Sequence, residues 1–211
     1  MRALHTAALL GLCICVPAIT QAADTAPIDL IKKVADDVLT EIKHDASYQT
    51  DAAKLQEMVN TRIAPHFDFM RLTQLAVARH WRAATPNQQK ELTEQFSRLL
   101  VRTYSNALLS YRNREIEYLP LKSTSGDQDV VVRTRVHGSG KSPVAVDFTL
   151  HSTPNGWKAY DVTVAGVSLV TNYRDEFNTA IQNNGIDGLI ALLKEKNTKP
   201  VVKPTIKSPS N

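Results

Sequence analysis

The chain has 211 residues, 25 Lys and Arg against 21 Asp and Glu, and two cysteines, Cys13 and Cys15. That length suits one domain with an extension, and the charge balance gives no basic surface for nucleic acid. A disulfide scaffold is excluded too, because both cysteines fall inside the N-terminal apolar run.

Residues 1–23 read as a secretory signal peptide. Arg2 supplies the positive end, Ala7 to Val16 an apolar core, and Thr20-Gln21-Ala22-Ala23 the small residues for cleavage after Ala22 or Ala23. The apolar run is shorter than the roughly 20 residues of a membrane span. Leu12 and Ile14 precede the cysteines where a lipid-anchoring signal needs a small residue, so no lipid anchor is expected. The expected mature chain is exported and soluble, and in a bacterium it resides in the periplasm. It carries 24 basic and 21 acidic residues, and 194–211 hold five Lys against one Glu, so the rest is close to neutral.

Helices come first. Ile28, Ile31, Val34, Ala35, Val38, Leu39 and Ile42 keep helical spacing behind Pro27. Asp51 is placed to cap a shorter helix through Leu55, Val59 and Ile63, which Pro65 ends. Asp68 caps the next, Phe69 to about Arg79. Thr85-Pro86-Asn87-Gln88 combines an N-cap, a helix-starting Pro and a capping-box Gln. It opens a long helix to about Arg112, with Leu92, Phe96, Leu99, Leu100, Tyr104 and Leu108 along one stripe.

From Glu115 the period changes to two. Strands are expected near 115–121, 129–137, 143–152 and 157–165, joined by short Gly-, Asn- and Ser-containing turns that favour an antiparallel meander. Val130, Val132, Thr134 and Val136 share one face, with Val131, Arg133, Arg135 and His137 opposite. Val144, Val146, Phe148 and Leu150 share the apolar face of the next strand, away from Asp147 and His151. In the last, Tyr160, Val162 and Val164 alternate against Asp161 and Thr163. Gly166 breaks that run, and helices follow at about 169–183, stopped by Gly185, and about 187–196. The expected fold is α+β: a curled antiparallel four-stranded sheet covered on one face by several helices, after an N-terminal helical portion. The division is 1–23 signal peptide, 24–197 folded domain and 198–211 a disordered Lys/Pro-rich tail.

The run Asp161-Val-Thr-Val-Ala-Gly-Val-Ser-Leu-Val-Thr-Asn-Tyr-Arg174 resembles the signature of the Mla-pathway periplasmic phospholipid-binding proteins, the toluene-tolerance auxiliary family. Ile63-Ala-Pro-His-Phe-Asp-Phe69, Leu75-Ala-Val-Ala-Arg-His-Trp81, Arg102 to Leu108, Pro143 to Phe148 and Trp157 to Asp161 agree with it in order. The similarity runs from about residue 26 to 197, with departures at His80 and Phe148. It implies a sheet of the nuclear-transport-factor-2-like (NTF2-like) kind, lipid tails held between sheet and helices, and no enzyme activity. It also implies a carrier that maintains outer-membrane lipid asymmetry. The expected partners are a diacyl phospholipid, an inner-membrane ABC transporter with an MCE-domain subunit, and an outer-membrane lipoprotein–porin complex. No cofactor or metal is implied.

A pocket of that kind has candidate walls in Val130, Val132, Val146, Phe148, Val162 and Val164 of the sheet and Leu100, Tyr104 and Leu108 of the long helix. Val167, Leu169 and Val170 close one end. Each is also a reasonable residue of a filled core. Tyr173 and Arg174, with Arg133 and Arg135 on the other sheet face, are candidates for contact with a headgroup or partner. Arg174 has an alternative as a structural ion pair with Asp161 or Asp175. Two other functions are compatible with these residues: a binding protein for small hydrophobic solvents, and an NTF2-like isomerase or dehydratase using Asp147, His151 and Asp161. Asp147 and His151 stand on the face away from the pocket, and no His or Cys pair has metal-ligand spacing.

Overall fold

A computed structural model describes residues 26–122, 126–138 and 141–199. The signal-peptide reading and nearly all of the tail reading lie outside them. Helix α1, Pro27–His44, starts on the expected proline and buries Ile31, Val38 and Ile42 along its apolar stripe. Helix α2, Ala52–Met58, begins where the Asp51 carboxylate accepts from Lys54 N at 2.9 Å. It continues as a π-helical turn, Val59–Ile63, and a 3₁₀ turn, Ala64–His66, rather than as one regular helix. Helix α3, Phe69–Val77, is capped by Asp68, which accepts from Arg71 N at 2.8 Å. It stops at Ala78, whose φ of 53° no regular helix accommodates.

Helix α4, Pro86–Leu109, opens with the predicted capping box: Thr85 Oγ1 accepts from Gln88 N at 3.3 Å, and Gln88 Oε1 accepts from Thr85 N at 3.0 Å. Two backbone donors that a helix start leaves unpaired are thereby satisfied. Strands β1 (Glu115–Tyr118), β2 (Asp129–Gly138), β3 (Lys141–Thr153), β4 (Gly156–Val164) and β5 (Val167–Ser168) form one antiparallel sheet in chain order. The α+β class is as expected, but the sheet has five strands rather than four. Ala165 and Gly166 both take positive φ, 50° and 84°, so the chain reverses in two residues and Val167 pairs back onto Val164.

Helix α5, Leu169–Thr198, follows at once and is interrupted only at Gly185, with φ 69° and ψ −175°. This break separates the two closing helices read from the sequence. The buried apolar side chains gather in three clusters instead of one. Leu72, Trp81, Phe96, Phe177 and Leu193 belong to the α3–α4–α5 cluster; Val38, Leu55, Met58 and Val101 to the α1–α2–α4 cluster; and Ile31, Val130, Val132, Leu150 and Ala159 to the sheet cluster. A small domain ordinarily has one contiguous core with minor satellites. Something separates these three.

Candidate functional site

What separates them is a cavity of about 330 Å³ between the inner sheet face and the helices. Each cluster supplies part of its wall: Leu72 and Leu100 from the first, Val38, Val59 and Val101 from the second, and Ile31 and Ala159 from the third. No Asp, Glu, Lys or Arg is among its lining residues. The volume falls within the roughly 300–1,000 Å³ of small-ligand sites, but those sites normally carry several aimed polar groups. This one is almost wholly hydrocarbon.

The sheet side follows from strand register. Val146 stands opposite Val164 and Phe148 opposite Val162, so these four side chains share the inner face and line the cavity. Thr134 and Val136 continue the wall onto β2, and Ile116 and Tyr118 onto β1. From the helix side, Leu100, Tyr104 and Leu108 project from successive turns of α4, and Leu169 closes the start of α5. The four remaining wall candidates lie elsewhere. Val130 and Val132 are buried on the same sheet face but within its packed cluster, beside Leu150. Val170 packs in the α3–α4–α5 cluster, and Val167 is held in β5 without reaching the cavity.

A whole wall came from outside the candidates: Ile31, Val34, Ala35, Val38 and Leu39 of α1. The periodicity that marks α1 as amphipathic also marks this wall. Nothing in that spacing distinguishes a stripe facing a void from one facing packed core. Ile63, His66 and Phe67 add a further edge from the irregular segment before α3.

Two of the polar side chains on the wall are turned to backbone partners. Thr134 Oγ1 donates to Val146 O at 2.6 Å, and Ser105 Oγ donates to Val101 O. Burial pushes the Tyr104 hydroxyl above its ordinary pKa. Burial, and then the charges of Lys158 and Lys33, push the His66 imidazole down, toward its neutral form. The wall is therefore uncharged near neutral pH.

Tyr173 is buried, with its ring edge-on to Phe96 at 4.9 Å. Arg174 is exposed and has no ion-pair partner among the described residues. Asp161 is engaged otherwise. One carboxylate oxygen accepts from Val162 N at 2.8 Å and Val170 N at 3.2 Å, and the other accepts from Ser168 Oγ at 2.5 Å. Ser168 Oγ in turn accepts from Thr171 N at 3.1 Å as the N-cap of α5. The Asp161–Ser168 pair thus pins the sheet to the helix that follows it. Arg135 and His137 both approach Glu117, at 3.8 and 3.0 Å, while Arg133 stands across the ladder from Asp147.

The acid–base grouping of Asp147, His151 and Asp161 does not assemble. His151 pairs instead with Asp68 at 3.0 Å, beside the ring of Tyr160, over which Arg71 stacks at 4.1 Å. None of these polar side chains is among the cavity-lining residues. Among the described residues no group of three or more His, Cys, Asp or Glu is arranged to hold a metal ion.

The profile of the MlaC protein family matches residues 32–195. The chain is similar to the toluene tolerance protein ttg2D of Pseudomonas putida, at 30% identity over 181 residues covering 85% of this chain and 83% of the relative. It is also similar to the intermembrane phospholipid transport system binding protein MlaC of Haemophilus influenzae, at 22% identity over 187 residues and 87% of each chain. Among solved structures, the phospholipid-binding protein from Ralstonia solanacearum in complex with a phospholipid matches with a TM-score of 0.76 and 39% identity. That match covers 83% of this chain and 97% of the other.

Proposed function

The chain belongs to the MlaC family, and from that premise we propose that it is a periplasmic phospholipid carrier. It encloses the acyl chains of a diacyl phospholipid and moves it between an outer-membrane lipoprotein–porin complex and an inner-membrane ABC transporter with an MCE-domain subunit. The net result is maintenance of outer-membrane lipid asymmetry. The observation that carries this reading is the 330 Å³ cavity whose lining has no acidic or basic residue and which divides the core in three.

Energetics explains why the site has to be a cavity. Two tails of about 15 methylenes carry roughly 24 kcal/mol of gross hydrophobic free energy, at about 0.8 kcal/mol each. A bilayer already supplies that burial, so a carrier competes only by matching most of it. A groove covering one tail falls short by roughly 12 kcal/mol on the same arithmetic. With donor and acceptor environments nearly balanced, transfer needs docking rather than a reaction on this chain.

The test is organic extraction of protein purified from the periplasm, followed by mass spectrometry. Stoichiometric diacyl phospholipid is expected. Small aromatic solvents in its place would support a solvent-binding protein, and an empty cavity after gentle purification would sink the carrier reading.

A further inference from the structure

Tyr118 presents a polar atom that the protein itself does not use. Its hydroxyl is buried and has no hydrogen-bond partner, a condition shared among the described side chains only by Asn197 Oδ1, and Asn197 is not among the lining residues. Register places Tyr118 opposite Thr134 on the inner sheet face, and both line the cavity. Thr134 Oγ1 donates to Val146 O at 2.6 Å and, although it keeps lone pairs, accepts no hydrogen bond from Tyr118. Tyr118 packs against the apolar sheet cluster, whose members include Ile31 and Val132.

A buried donor left unpaired is expensive, whereas a phenylalanine of the same shape would carry no such cost. The chemistry of the missing partner is constrained. Burial, and secondarily the Asp36 carboxylate, push the phenol up to about 12, so it stays a protonated donor at any physiological pH. The partner is therefore an acceptor. The lining offers no Lys or Arg to pair with an anionic phosphate oxygen, and the hydrocarbon wall favours a neutral group. A lipid tail carries one neutral acceptor that can enter an apolar cavity with it: the carbonyl of its ester linkage.

We propose that the Tyr118 hydroxyl donates a hydrogen bond to an acyl-ester carbonyl of the bound lipid and so selects ester-linked over purely hydrocarbon or ether-linked cargo. This rests on the carrier reading above. It adds a register to it, because the hydrogen bond fixes how far the glycerol backbone descends into the cavity.

The experiment compares the delipidated wild-type protein with Tyr118→Phe. Each is reloaded from vesicles of dioleoyl phosphatidylglycerol and from vesicles of its dialkyl-ether analogue, and protein-bound lipid is counted at equilibrium. The wild type is expected to hold the ester lipid roughly fivefold more strongly than the variant does, the usual worth of one such bond. Both proteins should hold the ether lipid equally, and the empty variant should melt no lower than the empty wild type. Equal retention of the ester lipid by both proteins would overturn the proposal while leaving the carrier intact. So would equal weakening of both lipids in the variant, which indicates a purely structural role. Wild-type protein that takes up neither lipid would refute the carrier reading itself, and this proposal with it.

Discussion

Placing a carboxylate at two positions on the same sheet face separates cavity wall from packed core. Val132 is 0% exposed within the sheet cluster, whereas Val164 is only partly buried and lines the cavity. A glutamate forced into a dry interior raises its pKa by about 3–5 units, which at about 1.36 kcal/mol per unit costs roughly 4–7 kcal/mol. Added to the lost burial of the valine, about 1.5–3 kcal/mol, that consumes most of the roughly 5–15 kcal/mol of a typical domain. Val132→Glu is therefore expected not to fold.

Val164→Glu differs because, with the cavity empty, its carboxylate reaches water and the protein loses little beyond the valine contacts. Tails entering the cavity must strip that water away. The same 4–7 kcal/mol then falls on loading, a loss of roughly three to five orders of magnitude in equilibrium retention. Because the bilayer competes on nearly equal terms, a shift of that size empties the protein. Circular dichroism melting of both variants and lipid extraction from Val164→Glu make the measurement, with partial recovery of loading expected in acid as the carboxylate protonates. Unfolding of Val164→Glu alongside Val132→Glu would mean that Val164 is ordinary core. A folded and fully loaded Val164→Glu would mean that the tails lie elsewhere.

Asp161→Ala removes an acceptor from two backbone donors and one hydroxyl, and is expected to cost about 2–4 kcal/mol in chemical denaturation. Ser168→Ala, losing the N-cap of α5, should cost about 1 kcal/mol. His66 binds its proton less readily folded than unfolded, because burial holds it below 6.5. Its contribution to stability is full above about pH 6.5 and falls as pH drops through the depressed value, so the unfolding free energy measured by chemical denaturation down to about pH 5 should decline, and His66→Gln should flatten that decline. Arg174→Ala, at an exposed and unpaired site, should change the melting free energy by less than about 0.5 kcal/mol. A larger loss would reveal an ion pair.

Much of this architecture is legible because each element announces itself locally. Thr85 and Gln88 write out a helix start, and Gly185 writes out a break. The inner faces of β2 and β3 follow from simple alternation. Alternation fails on β4 for a physical reason. A bulge sets Leu150 opposite Ala159 but Thr149 opposite Asp161, so Ala159 takes the inner position and Tyr160 joins His151 and Arg71 outside the cavity. The fifth strand was hidden because it is two residues long and depends on Ala165 accepting a positive φ, which alanine does not advertise. Depth was also invisible. Val132 and Val146 read alike along their strands, and only the placement of α1 and α4 above the sheet makes one core and the other wall.

The divided core explains what the run from Asp161 to Phe177 contributes. At about 24 cal/mol for each Å³ left unfilled, an unfilled cavity of 330 Å³ forgoes up to about 8 kcal/mol, comparable to the whole stability of many domains. A fold that keeps such a void needs each surrounding layer to be stable on its own, and needs rigid junctions where layers meet. The aromatic stack of Phe96, Tyr173 and Phe177 fills the helical layer with centroids 4.8–5.6 Å apart. Asp161, through Ser168 and the N-terminus of α5, ties that layer to the sheet. Val162 and Val164 face the cavity from the same strand whose Asp161 makes this tie. One short segment thus supplies wall and hinge pin together: its valines leave the space open, and its aspartate keeps the two sides from closing over it.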